Sequence, residues 1–208
     1  MSKSRPERTD MEFSKLVIAE MPLTLMAQSF REWFEREPWR EVWRCPTCSP
    51  PDDYGAAGRY ANLDSTTFGV CLICGTPLEP YWSEERSIRY FELLTQKPGF
   101  AGYVGKNEDG NIVAWALIYD CRAVEELQDL PEHGCYVDTF GFIPPYGGHM
   151  FELFEWGHQQ VQREGVEYFV TRTHRDARYV KDAITRFGYQ FLRASASESD
   201  REYWIYEP

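Results

Sequence analysis

The chain has 208 residues, 43% of them hydrophobic and 16% aromatic, and a formal net charge of −11. Its apolar content is enough for a packed core and excludes a disordered chain, while the charge disfavours a nucleic-acid binder, which needs Lys and Arg to replace the counterions around phosphates. No apolar run approaches the ~20 residues that cross a bilayer and nothing resembles a secretory signal. Six cysteines, four of them in metal spacing, suggest a reducing interior, so a cytoplasmic location without a membrane partner is expected.

Residues 1–12 are polar and charged and read as a flexible tail. Lys15 to Ala19 is expected to form the first strand. Pro22 fits the first turn of a helix whose apolar positions Leu23, Met26, Phe30, Trp33 and Phe34 recur at helical spacing, and Pro38 closes it. Residues 43–82 then change in composition to Cys, Pro, Gly and small polar residues. They read as a short module inserted into a larger domain that comprises residues 13–42 and 83–208.

That module carries Cys45-Pro46-Thr47-Cys48 and Cys71-Leu72-Ile73-Cys74-Gly75, with 22 residues between the pairs. Two turns that each hold a pair of thiolates complete a tetrahedral shell, so Cys45, Cys48, Cys71 and Cys74 are read as ligands of a structural zinc in a zinc-ribbon arrangement. Two disulfides or four ordinary buried thiols are the alternatives, and no strand–helix redox context surrounds either pair. Four thiolates leave no open coordination position, so the site builds fold and does no chemistry. Cys121 and Cys135 read as small buried strand residues.

After the module, Ser83 caps a helix with Glu84 and Glu85 in its first turn and Ile88, Phe91 and Leu94 facing inward. Phe100–Gly105 and Asn111–Asp120 read as strands joined around Asn107-Glu108-Asp109-Gly110, a hairpin signal. Cys135–Ile143 is a further strand, broken by Pro144-Pro145-Tyr146-Gly147-Gly148. A helix follows with Met150, Leu153, Phe154 and Val161 on one face, closing at Glu164-Gly165. Val166–Thr171 is a strand, Asp176–Phe187 a helix ending at Gly188, and two strands lie near Tyr189–Leu192 and Glu202–Tyr206.

This element order resembles the GNAT N-acetyltransferase superfamily over residues 14–40 and 83–208. Phe100–Gly105 with Asn111–Ile118 is similar to its central hairpin, Val137–Pro144 to its fourth strand leaving the sheet, and Arg186-Phe187-Gly188-Tyr189 to the end of its last helix. The resemblance implies an α/β fold, a mixed and mostly antiparallel sheet flanked by helices, here with an inserted zinc ribbon. It also implies an acetyl-CoA-dependent N-acetyltransferase acting on an amine-bearing substrate or a basic peptide. Coenzyme contacts would come from Ile143 and the Gly147-Gly148-His149 turn. That loop is shorter than the family's and lacks its usual cation, and residues 123–162 contain seven carboxylates and no Lys or Arg. Arg172, Arg175, Arg178 and Lys181 would replace the missing cation, or form a solvated helix face. Asp138 is the leading proton acceptor, with Glu132 and His133 behind it. The family's thiolate-protonating tyrosine corresponds to Ile184, which leaves Tyr179 and Tyr189 as substitutes. His149 and His158 read as surface residues or substrate contacts. The alternative function is a catalytically inactive GNAT-like zinc protein that binds a protein partner.

Overall fold

A computed structural model describes residues 11–208 apart from 56, 57, 66, 67 and 145. The expected tail lies outside the described residues up to position 10, and Glu12 already belongs to a strand. Seven strands form one sheet: β1 (Glu12–Lys15), β5 (Ala101–Lys106), β6 (Ile112–Asp120), β7 (Gly134–Phe142), β8 (Tyr168–His174), β10 (Arg201–Tyr206) and β9 (Gln190–Ala194), in that spatial order. Every neighbouring pair is antiparallel except β7 and β8. A second, three-stranded sheet is made of β2 (Trp43–Arg44), β3 (Arg59–Tyr60) and β4 (Glu79–Pro80), in the order β3-β2-β4. The result is a mixed, mostly antiparallel sheet with a four-cysteine insertion, as the element order implied.

The helices cover both faces of the large sheet. α1 (Leu23–Phe34) and α2 (Glu84–Thr95) bury Met26, Phe30, Phe91 and Leu94 against Trp115, Leu117, Tyr136 and Tyr203 on one face. α3 (Met150–Arg163) and α4 (Arg178–Phe187) bury Leu153, Val161, Val180 and Ile184 against Ile118, Val137 and Phe169 on the other. Strand β6 lies between the two cores, which is why Val113–Tyr119 reads as an unbroken apolar run.

Local chemistry fixes the ends. The Ser83 hydroxyl accepts the Arg86 backbone N–H at the start of α2, and Gly188 takes the left-handed conformation (φ 108°) that ends α4. One expectation is corrected. Residues 15–19 do not form the first strand: β1 ends at Lys15, and Ile18–Glu20 make a short 3-10 turn with Val17 and Ile18 exposed. Residues 16–19 have the apolar content of a strand, but the ladder with β5 is made by Glu12↔Lys106 through Lys15↔Tyr103 and closes with the Leu16 N–H donating to the Gly102 carbonyl at 2.8 Å. Two further differences are smaller. α4 starts at Arg178 instead of Asp176, and Cys121 is buried in a 3-10 turn, not a strand.

His158 on α3 is buried, stacked on Phe169 (centroids 3.9 Å apart), and its Nε2 meets the Tyr189 hydroxyl at 3.2 Å. Burial holds its pKa down to about 3 from an ordinary 6.5. The unfolded chain therefore takes up this proton first, and stability is lost progressively as pH falls from about 6.5 toward 3. Between pH 6.5 and 4.5 wild type is expected to lose about 2–3 kcal/mol more than His158→Phe. Urea unfolding of both proteins at the two pH values checks this, and parallel losses would contradict it.

Candidate active site and metal centre

The registers of β7 reveal one extra residue. Leu117 pairs with Thr139 and the next residue, Ile118, pairs with Val137, so Asp138 has no partner across β6. A bulge of this kind bends its strand and re-aims the side chain it carries. On the other edge, β7 and β8 pair from Gly134↔Tyr168 only as far as Val137↔Thr171. The Thr171 hydroxyl donates to the Val137 carbonyl at 3.0 Å where the pairing ends. Beyond this point β7 keeps β6 on one side and diverges from β8 on the other.

The divergence opens a cleft of about 1080 Å³ lined by Asp138, Thr139 to Ile143, and side chains from α1, α2 and the insertion. Asp138 is half-buried there. Its Oδ1 accepts the Tyr90 hydroxyl at 2.5 Å and its Oδ2 accepts the Tyr119 hydroxyl at 2.8 Å. Burial raises the Asp138 pKa above the usual carboxylate range, and the two hydroxyl donors and the Arg172 charge oppose that rise. Both tyrosines are pushed up in turn, by burial first and then by the Asp138 charge, so they remain protonated donors.

A buried charge cluster forms the far wall. Glu41 accepts the Trp82 indole N–H at 2.6 Å and pairs with Arg59 (2.8 Å) and Arg201. Glu198 pairs with Arg172 at 2.7 Å and with Arg59 at 3.4 Å. Arg172 is thus part of this wall and is separated from Arg175 and Arg178, which are exposed at the start of α4. Lys181 turns to the Arg175 carbonyl and to Glu202.

A second, apolar groove of about 220 Å³ lies between α3 and α4, lined by Trp33, Phe142, Phe154, Tyr179, Ile184 and Tyr189 among others. It shares Trp33, Phe140, Phe142, Thr171, Val180 and Ile184 with the larger cleft. Tyr179 is exposed at its edge and meets Trp33 and Trp39 edge-on. Tyr189 is buried with its hydroxyl on His158. Ile143 lines the cleft where β7 ends. Gly147, Gly148 and His149 form a 3-10 turn (Tyr146–His149) that leads into α3, whose N-terminus has no side-chain cap. A Cβ on Gly147 would sit 2.5 Å from the Phe142 ring, so glycine is needed for the turn to lie on β7, whereas Gly148 faces open space. His149 is held by Glu152 at 2.8 Å. His158 is a core residue, not the surface residue or substrate contact expected from sequence. Glu132 is on the surface with Arg122, and His133 is exposed.

The four cysteines come together as their spacing predicts. Their sulfurs all lie within 4.8 Å of one another, with Cys45–Cys74 at 3.4 Å, Cys48–Cys74 at 3.6 Å and Cys48–Cys71 at 3.7 Å. Four sulfurs each about 2.3 Å from one ion stand about 3.8 Å apart, and these three spacings are compatible with such a shell. None of the six cysteines is in a disulfide. The two turns match: Ser49 N–H donates to the Cys45 carbonyl and Gly75 N–H to the Cys71 carbonyl, each at 2.9 Å. Cys48 and Ile73 N–H groups point at the Cys45 and Cys71 sulfurs, both at 3.4 Å. The Tyr60 hydroxyl, 3.2 Å from Cys71 Sγ, is the largest influence holding that thiol down to about 6, while hydrogen bonding among the sulfurs, from Cys74 first, pushes Cys48 up to about 12. Gly58 has φ +65°, and its carbonyl accepts the Cys45 N–H at 2.8 Å. A Cβ there would press on Cys48 Cβ at 3.0 Å.

Sequence reasoning did not find Tyr90, Tyr119, Glu41, Glu198 or Arg201. The one available signal was the tyrosine at the end of the apolar β6 run, since a buried phenol needs a hydrogen-bond partner.

No protein-family model and no curated protein matches the chain in sequence. Solved structures do match in shape. PaiA N-acetyltransferase from Thermoplasma acidophilum in complex with coenzyme A aligns over 96% of this chain and 99% of its own, with TM-score 0.55 and 9% identity. The ribosomal-protein-S18-alanine N-acetyltransferase from Escherichia coli aligns over 95% and 94%, with TM-score 0.53 and 12% identity. A putative acetyltransferase from Acinetobacter baylyi aligns over 97% and 94%, with TM-score 0.58 and 10% identity. Two other acetyltransferases, one for nourseothricin and one GNAT member from Listeria monocytogenes, are spanned over only 66% and 64% of their length, at TM-scores of 0.42 and 0.43. The chain has the fold of the GNAT N-acetyltransferases, with a four-cysteine module inserted between α1 and α2.

Proposed function

We propose that this protein is an acetyl-CoA-dependent N-acetyltransferase acting on an amine or a basic peptide, and that its inserted module holds a structural zinc. One observation carries the reading: the bulge at Asp138 coincides with the parting of β7 from β8. An unpaired strand edge and a buried carboxylate therefore face one cleft. A strand edge offers backbone N–H and C=O groups to an extended, amide-bearing ligand such as a pantetheine arm. The apolar groove between α3 and α4 continues that path. Ile143 and the uncapped turn Gly147-Gly148-His149 would receive the pyrophosphate at the α3 N-terminus, with Arg175 and Arg178 as the nearby exposed cations.

Acetyl-CoA supplies an activated acyl group when bound. For transfer, the acceptor nitrogen bonds to the thioester carbon and the carbon–sulfur bond breaks. Asp138 receives the proton that the nitrogen gives up, directly or through water. A strand N–H beyond Val137 stabilises the carbonyl oxygen as it gains charge. The departing sulfur needs a proton, and Tyr179 is the better placed of the two candidate tyrosines, because the Tyr189 hydroxyl is engaged by His158. A second reading, a protein-interaction module without catalysis, is favoured by Phe68, Leu72 and Ile73, apolar residues exposed on the four-cysteine module.

Calorimetric titration with acetyl-CoA separates the two readings. One saturable site per chain with a micromolar Kd supports the enzyme; no binding at millimolar ligand supports the interaction module. In the enzyme, Asp138→Asn is expected to lower kcat/KM by about 10²–10⁴-fold with the acceptor that an amine screen identifies. Tyr90→Phe removes a donor that favours the Asp138 carboxylate, so the acid limb of the pH–rate profile should move upward. An unchanged limb would show that Asp138 is not the titrating group.

Metal analysis of gently purified protein should find one zinc per chain, and less than about half an equivalent would contradict a structural site. Cys45→Ser or Cys74→Ser should open residues 43–82 to proteolysis, because metal binding supplies on the order of 10 kcal/mol that so small a core cannot replace. Undiminished protease resistance would overturn the claim.

A further inference from the structure

The larger cleft contains several charged groups, and most of them are already engaged. Arg59 and Arg201 are paired with Glu41, Arg172 is on Glu198 at 2.7 Å, and Asp52 holds Arg89 at 2.5 Å. Lys97 sits over the Tyr119 ring, 5.8 Å from its centroid. Asp138 differs in that its two hydrogen-bond partners are neutral tyrosine hydroxyls. An ionised carboxylate has about four lone-pair sites, and two are used. A half-buried anion bonded only to neutral donors is stabilised by a cation brought into the cleft.

The walls beside it are aromatic. Tyr90 and Tyr119 flank the carboxylate, Tyr136 packs on Tyr119 (5.3 Å), and Tyr54 from the insertion packs on Tyr90 at 4.8 Å. Ring faces carry negative potential and attract cations. The protein already uses this attraction: the Arg86 guanidinium covers the Tyr54 ring at 4.3 Å and the Tyr81 ring at 5.1 Å. Arg86 also ties down the loop that carries Tyr54, donating to the Pro51 carbonyl at 2.6 Å and to that of Asp53. The loop starts at Ser49, the residue after the metal-turn Cys48. The insertion therefore builds part of the cleft.

We propose that the cleft takes its acceptor as an organic ammonium ion on an aryl or alkyl body, seated between the Asp138 carboxylate and an aromatic wall that Tyr54 of the insertion supports from behind through Tyr90. This rests on the acetyltransferase reading and narrows it: an anionic or zwitterionic acceptor would need a cation beside Asp138, whereas Arg59, Arg172 and Arg201 are spent on Glu41 and Glu198, and Arg36 is largely exposed beside Glu32. Tyr54 is a positioning residue, acting through Tyr90 on Asp138.

The test uses benzyltrimethylammonium, a quaternary ion that cannot be acetylated, and phenylacetate as an anion of similar size. Binding is read by tryptophan fluorescence, since Trp82 and Trp115 line the cleft. The ammonium probe should bind and phenylacetate should not. Asp138→Asn should weaken the probe at least about tenfold and Tyr54→Ala about fivefold, with Tyr54→Phe equal to wild type. If Asp138→Asn does not fold, the Tyr54 pair decides. Preference for phenylacetate, no probe binding at millimolar concentration, or equal binding by Tyr54→Ala and wild type would each overturn the proposal. Acetyl-CoA titration of the same wild-type sample distinguishes the failures. Coenzyme binding without probe binding refutes only the cation site, and probe binding without coenzyme binding supports the cation site and refutes the transferase.

Discussion

One extra residue in β7 sets the geometry of this protein. With a regular strand, Asp138 would take a place in the β6 ladder and β7 would continue alongside β8. The bulge removes Asp138 from the ladder and bends the strand at the last residue pair it shares with β8. The cleft, the free edge of β7 and the position of the carboxylate all follow from that local change. The cost is a buried anion, which is lowered by the Tyr90 hydroxyl from α2 and the Tyr119 hydroxyl from β6. Both helices over that face of the sheet are thereby registered to the bulge, since Tyr90 stacks on Phe30 of α1 at 5.5 Å.

The insertion is attached to this geometry by charge as well as by packing. Arg59 leaves the small sheet to pair with Glu41 at one end and Glu198 at the other, and Arg201 closes the set from β10. Removing one member leaves a buried charge without its counterpart, a loss of about 3–5 kcal/mol in comparable clusters. The four-cysteine turns are tied to it through the chain, because the Gly58 carbonyl that receives the Cys45 N–H immediately precedes Arg59. The four-cysteine cage and the cleft wall therefore share a backbone segment.

The local rules of the sequence carried most of the fold. The Ser83 cap, the turn before Asn111, the glycine ending α4 and the cysteine spacing each act within a few residues, and the structure repeats them. What was hidden is long-range. β1 was misplaced because the apolar run at 16–19 looks like a strand whichever residues pair with β5. The bulge leaves no mark in the alternation of 134–142, where residues on both faces are buried. Tyr90 and Asp138 are 48 positions apart, and Glu41 and Arg201 are 160 apart, distances over which only folding brings partners together. Arg172 was grouped with Arg175 and Arg178 by proximity in sequence, but strand β8 turns it to Glu198 instead. The candidate site was legible as Asp138 and four cysteines; its supporting tyrosines and ion pairs were not.

Backbone hydrogen exchange with and without coenzyme A tests the central claim most directly. If the parted strands are the coenzyme site, amides from Thr139 to Phe142 and those of the turn at 146–149 should gain protection on addition of coenzyme A, while strand β1 should not change. Protection confined to residues elsewhere, or none at saturating coenzyme A, would contradict the account.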